Sequence, residues 1–234
     1  MKTFSYINTG GLNEGKNSLK PIMDVALSGK SDVVILAEVD LTADRDLLNI
    51  EFTKRGYIVF LHCVEKLYLK DSRGVIGLQR IDANVEIVTK SCFCRLWHGS
   101  IGELDILAIH LPHNPKQYAP DTSRSKDHFK CYNEKISSLV KNFNPDVVIG
   151  DFNKKPSPFK GYINIGLKPG ILAPSRTAKP KGKGSKPSII DHCLVLKDKA
   201  DKFNFAYVSK FGSWDVTTHC PPHLPEHCRM DLQW

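Results

Sequence analysis

Two short runs, Val33-Val-Ile-Leu-Ala37 and Asp105-Ile-Leu-Ala-Ile109, constrain the fold of this 234-residue chain more than any other feature. Successive side chains of a strand point to opposite faces, so a run with almost no polar position must be covered on both sides. Such strands lie in the middle of a sheet with packed layers above and below. Further apolar, β-rich runs lie at Thr3–Thr9, Tyr57–Val64, Val75–Arg80, Val85–Leu96, Val147–Phe152, Ile189–Leu196 and Phe203–Val208, giving about nine strands. Helical periodicity appears at Leu19–Leu27, Asp44–Lys54 and Ser125–Phe143; in the last, Phe129, Tyr132, Ile136, Leu139, Val140 and Phe143 fall on one stripe. Helices interspersed with covered strands predict a layered α/β sandwich. No internal repeat and no long linker divides the chain, so residues 1–234 are expected to form one domain.

Composition removes other classes. The chain is 41% hydrophobic, 25% charged and 9% aromatic, which excludes disordered, collagenous and fibrous proteins. No apolar run is long enough for a membrane span, and the N-terminus lacks the apolar core of a signal peptide. An intracellular protein, cytoplasmic or nuclear, is expected. Seven cysteines cannot pair completely, so reduced thiols are the simpler expectation.

The net charge of +8 comes from one segment. Between Asp151 and Asp191 lie nine bases and no acid, and without them 24 bases stand against 25 acids. The densest part carries Arg176, Lys179, Lys181, Lys183 and Lys186 among Gly and Pro that prevent a helix. A basic loop of this kind suits a polyanion, although a solubilising surface loop would have the same composition.

Several predicted strands end in polar residues that packing does not require. Asn8 and Gly10-Gly11 follow the first strand, Glu38 ends the second, and His110 ends Leu104-Asp-Ile-Leu-Ala-Ile109. Asp151 and Asn153 end Val147-Val-Ile-Gly150, Asp191-His192 follow Ser188-Ile-Ile190, and His219 lies near the C-terminus. One such residue is more often a turn former than a site. Several at the ends of buried strands point to convergence at one edge of the layered sheet.

This ordered set resembles the endonuclease/exonuclease/phosphatase superfamily with the DNase I-like fold, and is most similar to its compact AP-endonuclease-like or retrotransposon-type endonuclease domains. Asn8-Thr-Gly-Gly-Leu12 looks like the opening Asn motif, Leu36-Ala-Glu38 like the metal-binding Glu, and Arg73-Gly-Val-Ile-Gly77 like a strand that begins with small residues. Gly150-Asp-Phe-Asn153 matches the most specific signature letter for letter, Ser188-Ile-Ile-Asp-His192 the next motif, and Thr218-His-Cys-Pro221 resembles the terminal one. The resemblance implies a four-layered sandwich of two mixed β-sheets packed face to face and flanked by helices. It also implies a Mg²⁺-dependent phosphodiesterase, with Mn²⁺ able to substitute. Glu38, helped by Asn8, would hold the metal; Asp151 and Asn153 would orient water and phosphate; His219, its tautomer fixed by Asp191, would act on the scissile phosphate. His110 stands where AP endonucleases tend to have Tyr and where DNase I and the lipid and RNA branches tend to have His.

The terminal motif departs from the family pattern, because Thr218 precedes His219 where the family has Asp, and Asp215 lies four positions before it. This bears on the number of metals bound. Cys220, His223, His227 and Cys228 are zinc-ligand types, but they form one short, proline-stiffened arm without a second, so an irregular tail is the expectation.

The expected function is a monomeric endonuclease acting on DNA, with RNA as the other nucleic acid and Arg176, Lys179, Lys181, Lys183 and Lys186 on the backbone. An inositol-phosphate or phospholipid phosphatase of the same fold, and a binding domain with impaired catalysis, are the alternatives. Retrotransposon-type domains are cut from larger polyproteins, so this chain is compatible with being a piece of one.

Overall fold

The computed structural model describes residues 1–12, 19–40, 45–63, 73–93, 95–111, 137–153, 159–169, 171, 189–211, 214–215 and 227–234. Two six-stranded mixed sheets dominate. In chain order the first contains β1 (Thr3–Leu12), β2 (Val33–Asp40), β3 (Tyr57–Cys63) and β4 (Arg73–Arg80). The second begins with β5 (Ile87–Phe93), β6 (Leu96–Ile101), β7 (Leu104–His110), β8 (Val147–Asp151), β9 (Tyr162–Asn164) and β10 (Asp191–Leu196). The chain then returns to the first sheet with β11 (Asn204–Val208) and β14 (Arg229–Gln233), after a small hairpin of β12 (Lys210–Phe211) and β13 (Trp214–Asp215). The spatial orders are β11-β14-β1-β2-β4-β3 and β5-β6-β7-β8-β10-β9.

The expected covered strands are central, and the reason is packing on both faces. Alternate residues Val33, Ile35 and Ala37 of β2 join Phe4, Tyr6, Trp97, Ile106, Ala108, Val147 and Ile149 in the apolar layer between the sheets. The intervening Val34 and Leu36 face outward, beneath helices α1 (Leu19–Leu27) and α2 (Arg45–Lys54). On the other sheet Leu107, Ile109 and Val148 pack outward with Leu139 and Val140 of a helix, α3, over residues 137–143. Helices, sheet, sheet and helix make the four layers of the DNase I-like sandwich. Phe143 departs from its expected stripe: it is about half exposed, with its ring 4.9 Å from His98. Residues 125–136 of the predicted helix lie outside the described residues.

Three differences from the predicted elements have physical causes. The run Val85–Leu96 holds β5 and only the first residue of β6, because the chain reverses and pairs Phe93 with Leu96, and the rest of β6 lies beyond the predicted run. The strand β14 was not predicted: its Arg229 and Asp231 obscure the alternation of Met230 and Leu232. Arg229 is nevertheless buried. Its guanidinium binds Asp231 through two nitrogens and donates from Nη1 to Val25 O (2.7 Å) and Ser28 Oγ (2.5 Å), tying β14 to the end of α1. The expectation of reduced thiols is also corrected: Cys63 at the end of β3 and Cys92 of β5 form a disulfide, with Cα atoms 6.3 Å apart. It joins the open edge of one sheet to that of the other. Cys193 and Cys228 are free and buried. Among the described residues no helix is long and apolar enough to cross a membrane.

Gly150 shows why the Gly-Asp-Phe-Asn signature starts with glycine. Its φ is 152°, and a Cβ there would lie 1.8 Å from Ile109 O of the neighbouring parallel strand. Gly150→Ala is expected to lower stability by about 1–3 kcal/mol or more by forcing β8 from β7, as read from urea denaturation; an unchanged midpoint would contradict this account of the register. The disulfide closes a loop with a sequence separation of 29. Cys63→Ser with Cys92→Ser, or reduction by a dithiol, is expected to cost about 3 kcal/mol in the same measurement, mainly by freeing the unfolded chain.

Candidate active site

Strand register brings the polar strand ends together. In the second sheet His110 lies beside Asp151 across the parallel β7–β8 pair, and Asp151 lies opposite Asp191 across the antiparallel β8–β10 pair. One row across three strands therefore carries an imidazole and two carboxylates. In the first sheet Asn8 pairs with Ala37, which places Asn8 and Glu38 at the same edge. β14 runs antiparallel to β1 with Tyr6 opposite Met230, so the chain just before β14 arrives beside Asn8. The residue it delivers is His227.

Hydrogen bonds cross between the sheets at this edge. Asn8 Nδ2 donates to Asp151 Oδ2 (2.9 Å), and His110 Nε2 lies 2.8 Å from Glu38 Oε1 and 3.8 Å from Asp151 Oδ2. His227 Nδ1 lies 3.1 and 3.0 Å from the two Asp191 oxygens and 3.7 Å from Asp151 Oδ2. The Tyr6 hydroxyl donates to Ile109 O (2.8 Å) and accepts from Asp151 N (3.3 Å). Tyr207 donates to Asp191 O at 3.0 Å.

Of the four described non-glycine residues in the left-handed backbone region, two belong to this site, Glu38 (φ 53°) and Asn153 (φ 52°). The turn at Asn153 folds the chain back so that its N–H donates to Asp151 Oδ1 (2.7 Å) and its side-chain amide to Leu111 O (2.5 Å). Asn153 thus braces Asp151 in this structure, and its amide is engaged by the backbone.

Electrostatics follow from burial. Asp151, Asp191 and His110 are almost inaccessible to water. Burial pushes Asp151 up to about 7, opposed by His227 and reinforced by Asp191. For His227 burial alone would lower the pKa, but Asp191, Asp151, the hydrogen bond to Asp191 and Glu38 outweigh it and raise it to about 10. At neutral pH the imidazolium form of His227 is favoured, and Asp151 stands near its own midpoint. Burial lowers His110, with Glu38 opposing and Arg95 reinforcing the shift, so its ring is neutral.

Of the expected site residues, Asn8, Glu38, His110, Asp151, Asn153 and Asp191 come together. His219 and the basic residues Arg176, Lys179, Lys181, Lys183 and Lys186 lie outside the described residues. The imidazole that Asp191 holds is His227, and the sequence carried a sign of it: Glu226-His227 is an acid directly before a histidine, the order that Thr218-His219 lacks. The sign was unusable without β14, which sets the distance from the last motif to the last strand. Within the zinc-type cluster His227 is thus committed to Asp191 and Cys228 is buried without a disulfide, while Cys220 and His223 lie outside the described residues. Sequence reasoning also missed Tyr6 and Arg95. A tyrosine on the inward face of an apolar strand needs a partner for its hydroxyl, and that is the signal by which Tyr6 could have been found.

The ligand-type atoms of Asp151, Asp191 and His227 lie within 4.8 Å of one another, close enough to hold a metal ion. Glu38, with 12% of its side chain exposed and His110 Nε2 2.8 Å from its Oε1, adds a hard carboxylate beside the same cluster.

No family model matches the chain, and no curated protein matches it in sequence. Its structure is similar to several solved ones. The 3′ phosphatase NExo from Neisseria, bound to a product DNA hairpin, aligns over 100% of this chain and 99% of its own with a TM-score of 0.63 and 13% identity. An AP endonuclease from Archaeoglobus fulgidus aligns over the same shares with a TM-score of 0.63 and 14% identity. The endonuclease domain of TRAS1, a telomere-specific non-LTR retrotransposon, aligns over 99% of this chain and 96% of its own with a TM-score of 0.60 and 13% identity. At these identities the likeness is one of architecture: the chain has the DNase I-like fold of the endonuclease/exonuclease/phosphatase proteins.

Proposed function

We propose that this chain is a Mg²⁺-dependent phosphodiesterase that hydrolyses nucleic acid, DNA in the first place. The observation that carries the reading is the meeting of Glu38, Asp151, Asp191, His110 and His227, supplied by both sheets, at one edge of the sandwich. A structural neighbour, the 3′ phosphatase NExo bound to a product DNA hairpin, supports it. The nine bases and no acids between Asp151 and Asp191 favour a polyanionic substrate, and the segment is anchored at both ends in the cluster.

Glu38 is the residue to hold the cation, with Asn8 beside it. The His227 imidazole is hydrogen-bonded to Asp191, and a hard cation prefers oxygen. When bound, Mg²⁺ would polarise the phosphoryl oxygens and neutralise charge that develops on them. The chain's own residues do the rest. Asp151, with a pKa near neutrality, is suited to take a proton from the attacking water. His227 has Nδ1 committed to Asp191, which leaves Nε2 as the ring nitrogen to donate to a phosphate oxygen as negative charge grows there. His110 is the neutral donor beside Glu38.

The test is hydrolysis of supercoiled DNA, single-stranded DNA, RNA and an inositol phosphate, with Mg²⁺ or Mn²⁺ and with chelator. Cleavage of DNA that chelator abolishes and Glu38→Gln largely removes is the expected result; full activity in chelator, or turnover of the inositol phosphate alone, would overturn the reading. His227→Ala is expected to lose roughly 10²–10⁴-fold in kcat, whereas His219→Ala stays within a few-fold of wild type. The reverse order would return the terminal role to His219. Replacing Lys179, Lys181, Lys183 and Lys186 with Gln should flatten the salt dependence of duplex binding by up to about 0.9 per lysine in the log–log slope; an unchanged slope would make the loop a solubilising one.

A further inference from the structure

A buried arginine stands behind the site. Arg95 opens the turn into β6, is 4% exposed, and directs Nη1 at His110 Nδ1 over 3.3 Å. Its carbonyl also accepts the His110 N–H at 2.9 Å, so one residue holds both the backbone and the ring of His110. A guanidinium has only donors. The His110 nitrogen facing it must therefore accept, which puts the proton of the neutral ring on Nε2, the atom 2.8 Å from Glu38 Oε1. A ring of the opposite tautomer would set N–H against N–H at one end and a lone pair against a carboxylate at the other.

We infer that Arg95 is a positioning residue that fixes His110 as the Nε2–H tautomer and thereby aims its one N–H at Glu38. The relay Arg95–His110–Glu38 runs from the interior of the second sheet to the edge of the first. It gives Glu38 a fixed, uncharged donor, which orients the carboxylate without neutralising it as a cationic side chain in that place would. Without Arg95 only the contact with Glu38 would select the tautomer, and a ring held at one end could turn over or exchange tautomers while every group that touches substrate stayed in the chain. The inference rests on the proposed function only for its catalytic consequence.

The decisive measurement is the two-bond ¹H–¹⁵N spectrum of the full chain labelled at histidine, with the His110 signal assigned by its loss in His110→Gln. Wild type and Arg95→Lys, which keeps a donor-only side chain, are expected to show His110 protonated at Nε2. Arg95→Met is expected to show Nδ1–H or a mixture, with the signals of His98 and His192 unmoved. Wild-type His110 protonated at Nδ1, or an unaltered tautomer in a folded Arg95→Met, would overturn the inference. If Arg95→Met does not fold, Arg95→Gln, whose amide can accept as well as donate, takes its place with the same expected result. In hydrolysis assays Arg95→Met should lose about 10–100-fold in kcat with KM nearly unchanged, and Arg95→Lys should recover most of the loss. A wild-type protein with the Nε2–H tautomer and no hydrolysis of any substrate would overturn the proposed function and leave the positioning role supported.

Discussion

Asp151 and Asp191 face each other from adjacent strands of the second sheet, both almost fully removed from water. Two carboxylates so placed repel one another and each loses its hydration, which is untenable in isolation. The imidazolium of His227, delivered by the first sheet, is what makes the arrangement stable: it is hydrogen-bonded to Asp191 and lies within 3.7 Å of Asp151. The positive charge and the negative pair thus belong to different sheets. Closing the sandwich and assembling the site are the same event, and the cluster exists only where the sheets meet in one register.

An apolar layer could not set that register by itself, since burial is non-directional and tolerates sliding. Directional links at the edge do so. Tyr6 to Ile109 and Asp151, Asn8 to Asp151, Glu38 to His110 and His227 to Asp191 all run from the first sheet to the second. The disulfide between Cys63 and Cys92 adds a covalent link where β3 and β5 leave the sheets open. The position of His227 depends in turn on β14, whose Arg229 is held by α1 and by Asp231. Residues remote from the chemistry therefore decide where the terminal imidazole stands.

Two of the four described non-glycine residues with left-handed backbone stand at the same edge. Glu38 and Asn153 adopt left-handed conformations without being glycine, each at the exit of a central strand. Regular strand geometry would have sent these side chains onward to alternate faces; the departure turns Glu38 towards His110 and the Asn153 N–H back to Asp151. Strain of this size persists only where surrounding structure over-determines it, and strand ends fixed in two packed sheets meet that condition.

The sequence by itself determined the covered central strands, because apolar residues on both faces of a run have no other solution. It also singled out Asn8, Glu38, His110, Asp151 and Asp191, because polar groups at these places disrupt an apolar pattern that packing would otherwise continue. Only the tertiary structure decided the rest. β14 hides its alternation behind Arg229 and Asp231, and with that strand unseen nothing in the sequence sets His227, eight residues after His219, against Asp191. Arg95 and Tyr6 look like an ordinary surface cation and an ordinary core aromatic until strand pairing sets them against His110 and Asp151. Which thiols meet was equally invisible, since Cys63 and Cys92 become neighbours only when two separate sheets close edge to edge. Local pattern fixes what a strand buries; the pairing of strands distant in sequence fixes which polar groups face one another.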